Sequence, residues 1–288
     1  MKRKIGITGK EIIPLGLGAK PLSMGNRPTE IEAVKVLHTA FELGFNFIDT
    51  ANVYCMGLEE IGHNERIINK AIKEYSKSNE ILVATKGGSR PEVKGGIDCS
   101  YDFLKKSCEK SLKDLGIESI FLYQLHAIDP KIPFLETINT LIELKKEGKI
   151  QHIGLTNVSF EDIKSALTST RIEGVQNKCN SFHKEDIKTG LIEFCKKNNI
   201  TYFSHSSVGG TKKHLEISKN TLINDLANKY QTSTYCIMLS WLLSIEDNVI
   251  PIFGASKITS IKDSYKALEI TLSKSDKENI NTLLDDCL

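Results

Sequence analysis

Residues 120–156 read IFLYQLHAIDPKIPFLETINTLIELKKEGKIQHIGLT. The apolar run from Ile120 to Leu125 predicts a buried strand, and the helical spacing of apolar residues from Phe134 to Glu147 predicts a helix. A second apolar run, from Ile153 to Thr156, predicts another strand. Two buried strands joined by a helix form a βαβ unit, in which the strands run parallel.

The same alternation continues in both directions along the chain. The predicted strands are Leu15–Leu17, Phe47–Asp49, Ile81–Thr85, Ile120–Leu125, Ile153–Thr156, Val175–Asn177, Thr201–Ser204 and Val249–Phe253. The predicted helices are Thr29–Leu43, Asn64–Tyr75, Tyr101–Leu115, Phe134–Glu147, Phe160–Leu167, Lys188–Asn198, Thr221–Lys229, Thr234–Leu243 and Ile261–Leu268. Eight βα repeats predict an α/β fold of the (β/α)8 TIM barrel type.

Both ends of the chain carry additional elements. Alternating residues around Thr8-Gly9-Lys10 predict a short N-terminal β-hairpin that covers the bottom of the barrel, although a frayed N-terminus explains the same pattern. The segment Ser273 to Asp286, with apolar Ile280, Leu283 and Leu284, predicts a capped C-terminal helix. Since no linker or shift in composition interrupts the chain, we expect one domain over residues 1–288.

Composition excludes several classes of function. The chain has 288 residues, with 38 Lys+Arg against 36 Asp+Glu and a net charge of +2. The charges are dispersed, so no basic surface for nucleic acid or an anionic membrane is expected. The sequence contains no apolar run of the ~20 residues that a membrane span needs, and its start does not resemble a signal peptide. Seven scattered cysteines without metal-ligand spacing indicate reduced thiols, a cytoplasmic location and no bound metal.

Polar residues follow most of the predicted strands, at the end of a barrel where active sites lie. Taken singly, each has an ordinary explanation as a helix cap, a solvated charge or a structural histidine. Together they form a cluster whose members should perturb each other's pKa values. The residues expected at this mouth are Asp49, Lys86, His126, Thr156, Asn157, Gln176, Asn177, Ser204, His205 and Ser206, with Tyr54 in the loop above them.

Four of these residues suit protonation of a carbonyl. Tyr54 is the candidate proton donor, but a phenol with a pKa of about 10 needs a cationic neighbour to act near neutral pH. Lys86 supplies that charge, and Asp49 orients its ammonium. His126 offers a neutral N–H to the substrate oxygen. A reduction also needs a hydride, which a nicotinamide cofactor provides.

Several motifs around these residues resemble those of the aldo-keto reductase family. They are Phe-Ile-Asp-Thr-Ala-x-x-Tyr (47–54), Ala-Thr-Lys-Gly-Gly (84–88), Tyr-Gln-Leu-His (123–126), Gly-Lys-Ile-x-x-Ile-Gly-Leu-Thr-Asn (148–157), Gly-Val-Gln-Asn (174–177) and Val-Ile-Pro-Ile-x-Gly-Ala-Ser-Lys (249–257). The resemblance covers almost the whole chain. It implies a barrel enzyme that uses NADP(H) to reduce an aldehyde or ketone to an alcohol, with a small-molecule carbonyl substrate.

The resemblance also implies a role for each matching residue. Tyr54 becomes the general acid and base, with Asp49, Lys86 and His126 as the other catalytic residues. Thr156, Asn157 and Gln176 correspond to the nicotinamide carboxamide site, and His205 to an aromatic that stacks on the nicotinamide. The remaining cofactor-binding residues are implied at the pyrophosphate loop, with Ser204, Ser206, Val208 and Gly209, and at the adenosine 2′-phosphate, with Gly254, Ser256 and Lys257.

Departures from the family pattern leave some points open. His205 offers less stacking area than the usual Tyr, and Asp263-Ser264 replaces a common Glu-Asn pair near adenine. Cys55, directly after Tyr54, is either an oxidisable thiol or a passive small residue. The absence of acidic residues beside Lys257 favours NADPH over NADH. Since the sequence has no G-x-G-x-x-G motif, we do not expect a Rossmann domain.

Two other functions are compatible with this pattern. An NADPH-sensing regulatory subunit on the same fold would bind the cofactor without rapid turnover. A lyase that uses Lys86 as a Schiff-base amine is disfavoured, because the neighbouring Asp49 should keep the amine charged. Neither the physiological substrate, nor the reaction direction, nor the oligomeric state follows from the sequence.

Overall fold

The computed structural model describes residues 2–90, 92 and 96–283. Eight parallel strands close into a barrel, in the spatial order β3-β4-β5-β8-β9-β10-β11-β12. These strands are β3 (Gly16–Gly18), β4 (Phe47–Asp49), β5 (Leu82–Gly87), β8 (Ile120–Leu125), β9 (Ile150–Thr156), β10 (Gly174–Lys178), β11 (Thr201–His205) and β12 (Val249–Gly254). Two antiparallel hairpins stand outside it: β1 (Arg3–Lys4) with β2 (Glu11–Ile12), and β6 (Ser89–Arg90) with β7 (Gly96–Ile97).

Helices follow the barrel strands and surround them. They are α1 (Glu30–Glu42), α2 (His63–Lys73), α3 (Tyr101–Leu115), α4 (Phe134–Lys146), α5 (Phe160–Leu167), α6 (Glu185–Lys188), α7 (Leu191–Lys197), α8 (Gly210–Ile217), α9 (Thr221–Lys229), α10 (Thr234–Leu243), α11 (Ile258–Tyr265) and α12 (Lys274–Asn281). The predicted (β/α)8 barrel is therefore confirmed. Within the described residues, no helix combines the length and apolar character that crossing a bilayer requires.

Two predicted helices differ from the structure. The helix predicted over Lys188–Asn198 is divided into α6 and α7 at Gly190, whose φ of 77° interrupts the helix. The helix predicted over Ile261–Leu268 begins earlier, at Ile258, and its last turn is the separate 3-10 segment Lys266–Leu268. Apolar spacing did not reveal either boundary, because both depend on local backbone geometry.

Local sequence explains where several helices begin and end. Thr29 and Glu32 form a capping box at the start of α1, and Ser159 and Asp162 form another at the start of α5. Each box satisfies backbone N–H groups that the first helical turn leaves unpaired. At the other end of a helix, Gly116 adopts a left-handed conformation (φ 64°) that terminates α3.

The barrel interior has its own apolar core, separate from the layer between strands and helices. The rings of Phe47 and Phe203 stack inside it with centroids 4.8 Å apart. Ile5 and Ile12 from the N-terminal hairpin join the same cluster and are fully buried. Close packing of this kind fills the centre of small barrels and leaves no pore.

The N-terminal hairpin closes the bottom of the barrel. Arg3 donates to the carbonyl oxygens of Val249 (2.5 Å) and Leu243 (2.7 Å), and the backbone N–H of Gly6 donates to Thr201 Oγ1 (2.9 Å). Val249 and Thr201 are the first residues of their strands. The predicted hairpin is thus confirmed, and the frayed alternative is wrong. The active site is therefore expected at the opposite end of the barrel.

The C-terminal helix is present over Lys274–Asn281. Ser273 caps it by accepting the N–H of Asp276, and the Asp276 carboxylate accepts from Lys229, the last residue of α9, and from the adjacent Tyr230. These contacts attach α12 to the outside of the barrel. The remainder of the predicted helix, from Leu284 onward, lies outside the described residues.

We expect Ile12→Ala to lower the free energy of unfolding by about 2–5 kcal/mol, because the truncation leaves a cavity at the bottom of the barrel. Ile7→Ala is the matched control in the same hairpin, since Ile7 is 64% exposed, and it should change stability by less than about 0.5 kcal/mol. Urea denaturation measures both. Equal, small effects would show that the hairpin does not contribute to the core.

Candidate active site

An ion pair between Lys86 and Asp49 lies at the centre of the upper end of the barrel. Lys86 Nζ is 2.6 Å from Asp49 Oδ2, and the two side chains are 1% and 5% exposed. Asp49 ends β4 and Lys86 lies in the neighbouring strand β5, so the barrel itself brings them together. The second carboxylate oxygen, Oδ1, accepts from Gln176 Nε2 at 2.8 Å and Gln124 Nε2 at 3.0 Å.

The Lys86 ammonium donates to three acceptors. Besides Asp49, it contacts the carbonyl oxygen of Thr50 at 2.9 Å and Tyr54 Oη at 3.3 Å. Burial lowers the pKa of Lys86, but the attraction of Asp49 and Tyr54 and its hydrogen bonds more than compensate, so that the pKa is raised overall. Lys86 is therefore charged at neutral pH, as expected.

Tyr54 stands above this pair, with its hydroxyl directed at Lys86. Burial raises the pKa of Tyr54, and the charge of Asp49 raises it further, while Lys86 lowers it through its charge and hydrogen bond. The net change is upward. Lys86 thus acts on the Tyr54 pKa in the expected direction, but burial outweighs its effect. The phenol is protonated at neutral pH and has a proton to donate.

His126 completes the predicted group of four. Its ring lies edge-on to Tyr54 with centroids 6.2 Å apart. Burial lowers the pKa of His126 to about 3, and the nearby charges of Lys86 and Lys20 act in the same direction. The imidazole is therefore neutral, as predicted. Its buried Nδ1 has no hydrogen-bond partner among the described residues.

Two residues that position this group have no role in the sequence prediction. Gln124 lies two residues before His126, on the same face of β8, and donates a hydrogen bond to Asp49. The alternation of side chains along a strand could have indicated that Gln124 faces the same side as His126. Asn64, fully buried in the first turn of α2, accepts from Thr50 Oγ1 at 2.5 Å and donates to the Ala19 carbonyl at 2.8 Å. No local pattern indicated Asn64, since its partners come from distant segments.

The residues predicted at the nicotinamide lie next to the ion pair. Gln176 contacts Asp49, and the strand register places Thr156 beside Gln176. The buried Thr156 Oγ1 has no partner among the described residues. An orphaned hydroxyl of this kind fits a polar ligand group such as a carboxamide, which can both donate and accept.

Asn157 and His205 face each other across the mouth. Asn157 has a left-handed backbone (φ 58°), donates to the His126 carbonyl at 3.0 Å, and has its Oδ1 3.0 Å from His205 Nε2. Burial lowers the pKa of His205 to about 4, and the charge of Lys86 adds to this effect. The ring at this position is thus a neutral, flat surface. If Asn157 Oδ1 bound a nicotinamide, that contact would replace its present contact with His205 Nε2.

Two predicted mouth residues point elsewhere. Asn177 donates to the Val158 carbonyl and to Asp186, each at 2.8 Å, because adjacent strand residues face opposite sides and Gln176 takes the inner side. The Ser204 hydroxyl is fully buried and donates to the Cys179 carbonyl at 2.6 Å. The structure therefore presents neither side chain to the mouth.

The loop after β11 has the backbone that a phosphate site needs. Ser206, Gly209 and Gly210 all have positive φ values of 54°, 82° and 69°. Gly209 N donates to the Ser206 carbonyl at 2.9 Å, and Val208 is half-buried. Tight turns with left-handed residues expose consecutive N–H groups to anions. Ser206, Val208 and Gly209 thus lie together beside His205.

Lys257 lies in a groove of about 470 Å³ between α1 and the start of α11. Gly254 precedes it, and a Cβ there would come 2.9 Å from Pro21 Cγ, which explains the glycine. Lys35 on α1 also lines the groove and was missed, because only tertiary packing brings it beside Lys257. The complete lining is Asn26, Pro28, Glu32, Lys35, Val36, Ser256, Lys257, Ile258 and Thr259.

Asp263 and Cys55, two residues that depart from the motif pattern described above, have structural explanations. The Asp263 carboxylate accepts from Ser233 at 2.5 Å, so this side chain is engaged with α10. The Cys55 thiol is 8% exposed and contacts the Val53 carbonyl. Burial raises the pKa of Cys55, and Glu60 and Glu59 add to this effect. A protonated, buried thiol favours the passive interpretation of Cys55.

We expect the His126 imidazole to remain neutral down to about pH 5, since its pKa of about 3 lies far below that of an exposed histidine, about 6.5. The unfolded chain then binds a proton that the folded chain does not, so this histidine lowers stability as the pH falls from about 6.5 towards 3. NMR titration measures the pKa of the His126 ring, and the signal that disappears in His126→Gln identifies it. A midpoint above about pH 6 in the folded protein would contradict the neutral ring.

Comparison with known proteins agrees with this geometry. The family model described as "Aldo/keto reductase family" matches residues 14–285. A soybean (Glycine max) protein named probable aldo-keto reductase 1 is 31% identical, with 96% of this chain and 87% of the relative covered. The fission yeast (Schizosaccharomyces pombe) aldo-keto reductase yakc [NADP(+)] is 27% identical, with 99% and 91% covered.

A solved structure has the same fold. The thermostable aldo-keto reductase Tm1743, in complex with the inhibitor epalrestat, superposes with a TM-score of 0.81 at 29% identity and covers 98% of this chain and 99% of its own. The family match extends over the barrel strands and over Asp49, Tyr54, Lys86 and His126. The chain belongs to the aldo/keto reductase family, whose members are oxidoreductases.

Proposed function

We propose that the protein is an NADPH-dependent reductase that converts an aldehyde or ketone into an alcohol, with Tyr54 as the proton donor. The observation that carries this proposal is the contact of Tyr54 Oη with the buried ammonium of Lys86, which is itself fixed by Asp49. A protonated phenol, a permanent ammonium and a neutral imidazole lie around one point at the mouth. This is the set that protonating a carbonyl oxygen requires.

Bound NADPH supplies the hydride for the carbonyl carbon. The chain's own residues manage the oxygen. His126 orients the carbonyl and stabilises charge that develops on its oxygen, and Tyr54 transfers its proton there. Lys86, 3.3 Å from Tyr54 Oη, stabilises the resulting phenolate, and Asp49 holds the ammonium in place. In the reverse direction Tyr54 is the base, by microscopic reversibility.

The cofactor residues support NADP(H). Thr156, Asn157 and Gln176 would hold the carboxamide, with His205 as the stacking surface. Ser206, Val208 and Gly209 would hold the pyrophosphate through their backbone. Lys257 with Gly254 and Ser256 would hold the 2′-phosphate. Lys35 adds a second positive charge to that groove and Glu32 adds one negative charge, so the charged lining residues leave it positive. The fission yeast relative carries NADP(+) in its name.

The alternatives are less well supported. A Schiff-base lyase needs a neutral amine, whereas Lys86 is paired, bonded to three acceptors and has a raised pKa. A purely NADPH-sensing subunit would have no need for the Tyr54–Lys86–Asp49 arrangement, and the named relatives are reductases.

We also propose that the chain is a single barrel domain and that it acts in the cytoplasm. The cysteines within the described residues are free thiols, which is typical of a reducing compartment. Cys287 lies outside those residues.

Tyr54→Phe should lower kcat by about 10²- to 10⁴-fold, because it removes the proton donor and leaves the ring. NADPH affinity, measured by fluorescence titration, should change by less than about threefold. Tyr101→Phe is the matched control, since Tyr101 is an exposed residue at the start of α3. Full activity of Tyr54→Phe would reject Tyr54 as the acid.

Lys257→Met should weaken NADPH binding by about tenfold or more, because a charge-assisted bond to the 2′-phosphate is lost. NADH lacks that phosphate, so its dissociation constant should change little. Lys262→Met, on the same helix but outside the groove, is the control. An equal loss for NADPH and NADH would show that Lys257 does not contact the phosphate.

A further inference from the structure

Lys20 lies at the open side of the catalytic group and has no part in the mechanism above. It follows β3, the first strand of the barrel, and begins the short 3-10 turn Lys20–Leu22 at the upper end. Its Nζ is 5.6 Å from the centroid of the Tyr54 ring. The residue is exposed, so its ammonium borders the space through which a substrate reaches Tyr54.

The charge of Lys20 is not balanced by its surroundings. Lys86 and Asp49 neutralise each other, and the rings of His126 and His205 are neutral because their pKa values are lowered to about 3 and about 4. No carboxylate within the described residues forms an ion pair with Lys20. Burial lowers the pKa of Lys20, and repulsion from Lys86 lowers it further. Lys20 thus brings to the mouth an ammonium that pairs with no described carboxylate.

A cation placed in this way attracts an anion. At a partly enclosed site, a bond between an ammonium and a carboxylate or phosphate is stronger than at an open surface. The cofactor phosphates have other candidates, at the loop after β11 and at the Lys257 groove, whereas Lys20 lies over the ring of the proton donor. An anion bound at Lys20 would therefore belong to the molecule whose carbonyl group Tyr54 would protonate.

We propose that Lys20 is a specificity-determining residue that binds an anionic group, a carboxylate or a phosphate, carried by the carbonyl substrate. This inference rests on the proposed reductase function. The preferred substrates are then oxo acids or phosphorylated aldehydes, and neutral carbonyl compounds of the same size are poorer ones. Lys20 selects the substrate and takes no part in proton transfer.

Two matched pairs of substrates test this inference with NADPH. Each pair differs by one anionic group: 4-oxobutanoate against butanal, and glyceraldehyde 3-phosphate against glyceraldehyde. The measured quantity is the ratio of kcat/KM within each pair. Lys20→Met should lower the ratio by about tenfold or more, mainly through KM, while Lys20→Arg should retain it within about threefold. The pair that responds more strongly distinguishes a carboxylate from a phosphate.

Lys10→Met, an exposed lysine in the N-terminal hairpin at the other end of the barrel, is the control and should leave the ratio unchanged. Added salt should lower the wild-type ratio, because it screens the exposed charge. If Lys20→Met lowers kcat/KM equally for both members of each pair, Lys20 is structural and the inference is wrong. If the ratio stays constant while NADPH binding weakens, Lys20 contacts the cofactor, which also overturns it.

A separate binding measurement keeps this inference distinct from the proposed function. If no carbonyl compound is turned over, the reductase proposal fails, and calorimetric titration of the NADPH complex with succinate and with neutral succinamide still tests Lys20. Succinate binding that weakens in Lys20→Met, without a change for succinamide, would support the anion site. Equal binding of succinate to wild type and Lys20→Met would reject it.

Discussion

The contact between Lys86 and Asp49 is the constraint on which the rest of the site depends. Removing both charges from water is costly, and such a pair persists only where geometry and further hydrogen bonds compensate. Here Asp49 also accepts from Gln124 and Gln176, and Lys86 also donates to Thr50 and Tyr54. The pair thereby links the upper ends of four barrel strands, β4, β5, β8 and β10. Loss of either partner would leave a buried charge unpaired.

Burial and the same pair together determine the protonation states nearby. Burial is the main cause that lowers the pKa values of His126 and His205 and keeps both rings neutral, and the fixed ammonium of Lys86 adds to it. Burial keeps Tyr54 protonated, while Lys86 stands ready to stabilise its anion. In the proposed reaction, the site thus combines an acid that holds its proton with a neighbour that lowers the cost of releasing it. Lys20 adds positive charge only at the rim, where a substrate group can reach it.

Much of this arrangement was predictable from the sequence, because barrel geometry converts strand order into position. Most predicted strands agree with the structure within a residue or two; the largest difference is at β9, which begins at Ile150 and not at Ile153. Asp49, Lys86 and His126 were found because they lie at the ends of buried strands. Asn177 and Ser204 were placed at the mouth wrongly, since the prediction did not apply the alternation of side chains along a strand.

Other features depend on tertiary packing that one sequence does not reveal. Lys35 reaches the Lys257 groove, and Asn64 reaches Thr50, only after distant segments have folded together. The raised pKa of Tyr54 follows from how deeply the barrel buries it, which no spacing of residues indicates. The break between α6 and α7 at Gly190 depends on a backbone angle. Short-range sequence patterns thus predicted well where residues lie in the barrel, but they predicted poorly which distant residues contact them and how burial shifts their pKa values.

In the proposed reaction, hydride from NADPH and a proton held at Tyr54 together convert a carbonyl into an alcohol. The most direct measurement is a single turnover with NADPH deuterated at C4 of the nicotinamide, followed by mass spectrometry and NMR of the product. We expect an alcohol that carries deuterium on its carbinol carbon and a solvent-exchangeable proton on its oxygen. Bound NADPH that transfers no deuterium to any aldehyde, ketone or oxo acid would contradict it.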